Sequence, residues 1–252
     1  MHFDIGQIAG KPTVKAVQRA SELGRLRHTL PARHQQVFPH LQAGEDAPPS
    51  RLYELATLSI ARGTGSRVAE GVLAFAAGAP DGALLGCWVP EIAPLNTFVV
   101  LRGFADDAAL SRERERTMLS SSPFGSGDCL VRMALDSYAP FPWLPPVAPG
   151  SYGPFYEIRS YVVRPGGIGP ILSAWQERLP LRTQYSPLLV VLYALHGTTR
   201  ITHIWPYPTL AARVEARSTS IQSGAWPPDT GTWITAEMRS GIYLPASGSP
   251  LR

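Results

Sequence analysis

Several side chains in the last hundred residues carry types and spacings from which chemistry could be built. In the run Phe155 to Val163, Glu157, Arg159 and Tyr161 occupy alternate positions, and in Arg200 to Trp205 so do Ile201, His203 and Trp205. Alternate residues of a strand share one face. A carboxylate, a guanidinium, a phenol and an imidazole could therefore meet, with Trp205 beside them. Such a set could do general acid–base work on a small polar substrate. It could equally be a hydrogen-bonded, salt-bridged network joining sheets or subunits. Arg213 and Arg217 stand four apart, with Glu215 between them. At that helical spacing they could hold an anion, or line a solvated or domain-linking face.

Other chemistries lack their residues. Gly63 and Gly65 flank Thr64 without the lysine and serine/threonine of a phosphate loop. Cys87 and Cys129 make neither a disulfide framework nor a metal site, and Cys87 sits in the apolar run Leu84 to Val89 as a small hydrophobe would. A reduced, cytoplasmic protein is the expectation, with no secretory segment. His28, His34 and His40 are spaced by six, not by the four of a helical metal pair. His196, at a turn, and His203, in a strand, lack the helical setting expected of a haem ligand. No cofactor and no metal are expected.

The charge balance points the same way. The chain of 252 residues has a formal net charge of +4, and all its cations but Lys11 and Lys15 are arginine. The densest basic stretch, Arg112 to Arg116, alternates with Glu113 and Glu115. A solvated helix face is alternating in this way, whereas a nucleic-acid surface gathers cations into a stripe. No run approaches the ~20 apolar residues of a membrane span.

The elements that must position these residues occur twice. Tyr53-Glu54-Leu55 returns as Tyr156-Glu157-Ile158 and Phe104 as Tyr207, both 103 residues on. Met133, Tyr138 and Pro140 return as Met238, Tyr243 and Pro245, 105 residues on. A period near 100 means tandem domains. The expected organisation is a poorly structured segment over 1–50, a first domain over 51–142, a proline-rich linker over 143–151, a second domain over 152–246 and a tail over 247–252. Each copy reads strand, helix, strand, strand, helix, strand, the ferredoxin-like arrangement. In the second copy these are Phe155 to Val163, a helix carrying Ile168, Ile171, Leu172, Trp175 and Leu179, then Leu188 to Leu195 and Arg200 to Trp205. A helix around Leu210, Val214 and Ile221 follows, and a strand from about Trp233 to Leu244.

The fold class is thus α+β. One such unit leaves a sheet face bare, and two in one chain can close their faces into an α+β barrel whose inner space would be the natural pocket. With the apolar set Ile158, Ser160 and Val162 taken to face the helices, the polar set Glu157, Arg159 and Tyr161 is expected to face that space, where His203 could approach it if the face of Ile201, His203 and Trp205 is also the inner one. Copy one is apolar at most of the equivalent positions, so the polar wall should come from copy two. Exposed strand edges make self-association an expectation.

Tyr156-Glu157-Ile158-Arg159-Ser160-Tyr161, with His203-Ile204-Trp205-Pro206-Tyr207 leading into Leu210, Arg213 and Arg217, resembles the NIPSNAP family. The likeness covers about residues 152–245, and the first copy keeps the layout with fewer signature residues. It implies a dimeric α+β barrel fold and an activity that the family leaves unassigned, with no catalytic set to carry over. The expected function is binding of a small ligand or protein partner. The alternative is a cofactor-independent oxygenase or isomerase using His203 with Arg159 and Tyr161. An accessible cavity touching His203 would favour the enzyme, and a packed His203 would remove it.

Overall fold

Tyr53 and Leu55 point one way along their strand and Glu54, Ala56 and Leu58 the other, yet all five are buried. A strand buried on both faces needs a layer on each side, and the computed structural model, which describes residues 50–252, supplies both. Expectations placed on residues 1–49, including the spaced histidines, lie outside the described residues.

The first half runs β1 (Leu52–Ile60), α1 (Gly65–Ala77), β2 (Gly82–Ile92), β3 (Thr97–Phe104), α2 (Asp107–Leu119) and β4 (Leu130–Pro140). The second runs β5 (Phe155–Val163), α3 (Ile168–Arg182), β6 (Val190–Ala194), β7 (Arg200–Tyr207), α4 (Leu210–Gln222) and β8 (Ile234–Pro245). Local chemistry sets the helix starts. Asp106 caps α2 by accepting from the Ala109 N–H at 2.8 Å, and Thr209 caps α4 through the Ala212 N–H at 3.0 Å.

All eight strands form one closed barrel, in the order β1-β3-β2-β8-β5-β7-β6-β4. Within each half the pairings are long: Leu52 to Ser59 of β1 lie against Phe104 to Thr97 of β3, and Phe155 to Val162 of β5 against Tyr207 to Arg200 of β7. Between the halves the strand pairings are short. Tyr138 to Pro140 of β4 meet Ala194 to Leu192 of β6, and Trp88 to Ile92 of β2 meet Pro245 to Ile242 of β8.

The barrel interior is apolar. Tyr53, Leu55, Trp88, Leu101, Tyr156, Ile158, Leu192 and Ile204 belong to one continuous cluster. Burial of each such side chain contributes about 1.5–3 kcal/mol. The Trp88 and Tyr156 rings, one from each half, lie 5.3 Å apart. Separate clusters fill the space under the helices: Ala56, Leu58, Val100 and Phe124 against α1, and Trp175, Leu179, Ile201 and Trp205 beneath α3 and α4.

Residues 247–252, expected as a tail, are built into the fold instead. Leu251 is fully buried in the barrel cluster, the Arg252 N–H donates to the Gly150 carbonyl, and the Gly150 N–H donates to the Pro250 carbonyl. The proline-rich stretch packs there too: Val147 is buried and its N–H donates to the Tyr53 hydroxyl at 3.0 Å.

Candidate functional site

The expected polar set does assemble, on the opposite side of the sheet from the one expected. Arg159 lies directly across from His203, Glu157 from Trp205 and Tyr161 from Ile201. Their companions on that face, Ile201, Trp205 and Tyr207, pack beneath α3 and α4, while Tyr156, Ile158 and Ile204 fill the barrel. The correction has a plain cause. Both faces of β5 and β7 are buried, so apolar content does not identify the helix side. The barrel space is closed by a second sheet, where a charge would find neither water nor a long partner. The helix side receives arginines from α4 and is open along β8, whose Ala236 to Ser240 are exposed.

Glu157 is the centre of the site and is wholly buried. Its Oε1 accepts from Arg159 at 2.7 Å, from Arg213 at 2.6 Å and from the Ser240 hydroxyl at 3.1 Å. Arg217 approaches Oε2 at 3.6 Å. Burial by itself would raise the Glu157 pKa, but the Arg213 and Arg159 hydrogen bonds and the nearby guanidinium charges outweigh it and hold the carboxyl down at about 2. Arg159 also donates to the Tyr161 hydroxyl. Arg213 and Arg217, which could have held an anion or lined a solvated face, thus join the same cluster and hold an internal carboxylate.

Arg182 was not foreseen as part of this site. It is buried, donates to Ser186 at 2.8 Å and Tyr207 at 3.3 Å, and stacks its guanidinium 4.4 Å from the centre of the Trp205 ring. The sequence does carry a signal. Trp175, Leu179 and Arg182 continue one helical stripe, which puts an arginine at a buried position. Ser240 was also missed, since its role depends on the register of β8 against β5.

The equivalent place in the first half is nearly balanced in charge. Glu54 binds Arg102 and Arg114, and Glu113 binds Arg116 and lies 3.7 Å from Arg102. Two carboxylates there serve three arginines, whereas in the second half Glu157 alone faces Arg159, Arg213 and Arg217, with Arg182 close enough to act on the same groups. The second site therefore carries a surplus of positive charge. Arg213 Nε, a buried donor, has no partner among the described residues.

His203 is packed away. It is 2% exposed, with the Trp175 ring 5.1 Å and the Tyr161 ring 5.0 Å distant, and its Nδ1 accepts from Trp205 Nε1 at 2.6 Å. Burial first, then the charge of Arg159, lowers its pKa to about 3. A neutral ring whose Nδ1 accepts must carry its proton on Nε2. Neither nitrogen is then a free base. Nitrogen-15 NMR of the ring should show this neutral tautomer unchanged from neutral pH down to about pH 4, and a midpoint near the ordinary histidine value would contradict the packing. Because the unfolded chain takes up this proton first, stability falls as pH drops below 6.5 toward 3.

A closed barrel of two βαββαβ halves, sealed inside and polar under its helices, defines this chain as an α+β-barrel protein of the ferredoxin-like class. Residues 156–250 match the NIPSNAP family model. The human protein NipSnap homolog 3B is 32% identical over 76 residues, which is 29% of this chain and 31% of that protein. Its mouse counterpart is 31% identical over 78 residues, 30% of this chain and 32% of the relative. The matches thus span about a third of these relatives' length. Among solved structures, an anthrone oxidase-like protein aligns with a TM-score of 0.56 at 14% identity, covering 79% of this chain and 93% of its own. A candidate monooxygenase from Lactobacillus acidophilus aligns at 0.58 and 10% identity, covering 79% and 98%. At such identities these structures show the fold. Among the described residues there is no group of side chains able to hold a metal ion, and no helix is long and apolar enough to cross a membrane.

Proposed function

We propose that this chain is a binding protein whose barrel interior is structural and whose ligand site is the arginine cluster beneath α4 in the second half. The ligand class is a small molecule bearing an oxyanion, a carboxylate or phosphate group. One observation carries the reading: Arg159, Arg182, Arg213 and Arg217 gather about the carboxylate of Glu157, where the same position of the first half sets two carboxylates against three arginines. Arg159 and Arg217 keep partly exposed side chains, so an anion from solvent can reach them. Arginine suits this role because its fork matches the geometry of oxyanions.

Duplication of one ancestral unit, with domains over 51–142 and 152–246, belongs to the same reading. It is supported by the repeated element order and by buried glutamates at equivalent positions, Glu54 and Glu157. A cytoplasmic setting is supported by two buried, unpaired cysteines. The oxygenase or isomerase alternative draws on fold neighbours, and fold does not carry reaction; His203 also offers no basic nitrogen.

Calorimetric titration with inorganic phosphate, on the parent and on Arg217→Ala, tests the site. Binding to the parent, weakened about tenfold or more in the variant, is expected, since a charged hydrogen bond is worth about 1.5–3 kcal/mol. Absence of binding to the parent by phosphate and by acetate alike, or equal binding by the variant, would overturn the reading.

A further inference from the structure

β8 is longer than its barrel pairing. Only Ile242 to Pro245 meet β2, while the strand begins at Ile234. Among the described residues, the edge of β8 away from β5 is therefore unpaired from Ile234 to Gly241. Glu237, Met238 and Arg239 on it are exposed, Met238 at 56%. An open edge is a template for another strand.

The direction of its main-chain groups can be read from the far end. The Ala246 N–H donates to Cys87 of β2. Alternation from that point turns the N–H and C=O of Ile242 toward β2, those of Ser240 and Met238 toward the open side, and those of Gly241 and Arg239 toward β5. Strand-to-strand association must use Met238 and Ser240.

We infer that two copies of this chain pair their β8 edges antiparallel, with Met238 on the two-fold axis. The register follows from charge. With Met238 across from the partner's Met238, Glu237 faces the partner's Arg239 and Arg239 faces the partner's Glu237. That pair is the non-hydrogen-bonded kind, in which side chains come closest. The patch is thus self-complementary, as a two-fold interface requires. The analogous overhang, Leu130 to Asp136 of β4, is not. Set about Met133 it would place Arg132 across from Ala134, and set against β8 with Met133 facing Met238 it would oppose Arg132 to Arg239. Ser240, held to Glu157 and within reach of Arg159, lies on the paired strand. The second copy would therefore lay its Ala236 beside the mouth of the arginine cluster.

Sedimentation velocity on the full chain over a concentration series tests this. The parent should pass from one chain to two. Glu237→Arg alone sets Arg against Arg, and Arg239→Glu alone sets Glu against Glu, so each should raise the dissociation constant at least tenfold. Mixing the two variants should restore the pair, because both cross-strand contacts then join opposite charges. A parent that stays a single chain, single variants that associate like the parent, or a mixture that fails to recover would each overturn the register. Should a charge variant misfold by circular dichroism, Met238→Pro decides instead. It removes an N–H that faces outward, a place where an edge strand accepts proline, and it should abolish the pair, whereas a pair that survives it overturns the inference.

Discussion

Glu157→Ala should destabilise the protein by about 3–5 kcal/mol, the scale seen when one partner of a buried ion cluster is removed. The carboxylate is wholly buried and holds Arg159 and Arg213 by direct bonds. Without it, guanidinium groups that share one small space lose the carboxylate that, among the described residues, they all approach. Chemical denaturation of the parent and variant measures the loss. A change below about 1 kcal/mol would mean that the cluster is hydrated like a surface pair. Acid supplies a second readout. The folded pKa of about 2 lies below the ordinary 4.5, so the stabilisation is complete above 4.5 and disappears as pH falls through 2. The gap corresponds to about 3 kcal/mol, and Glu157→Ala should flatten that part of the parent's acid profile.

Trp88→Ala is the other large effect, about 3–5 kcal/mol for deleting a buried indole. Trp88 is fully buried and meets Tyr156 across the line where the two halves face each other. The short β2–β8 and β4–β6 pairings hold the halves together along the strand edges, and this apolar contact holds them across the interior. A thermal midpoint lowered by several degrees is expected, with loss of a single cooperative transition if the halves uncouple. A small effect would instead show that the barrel interior tolerates open space, as a ligand pocket does, and would revive it as a binding site.

Much of the architecture was legible from periodicity. The span of β5 follows from alternation alone, and the α3 stripe from Ile171 through Leu179 from helical spacing. The repeat offsets of 103 and 105 anticipate two halves of one order. The gathering of Glu157, Arg159, Tyr161 and His203 was also legible, because alternation states which residues share a face. That Arg213 and Arg217 close over Glu157 was not, for it depends on how α4 lies across β5 and β7.

The sequence by itself determined which side chains stand together, since strand and helix periods are local and survive any packing. Only the tertiary structure decided which side of the sheet they occupy. That choice is made by the layer placed against each face. A second sheet admits apolar groups and expels charge, whereas a helix layer with an open border lets arginines reach a buried carboxylate and keep part of their hydration.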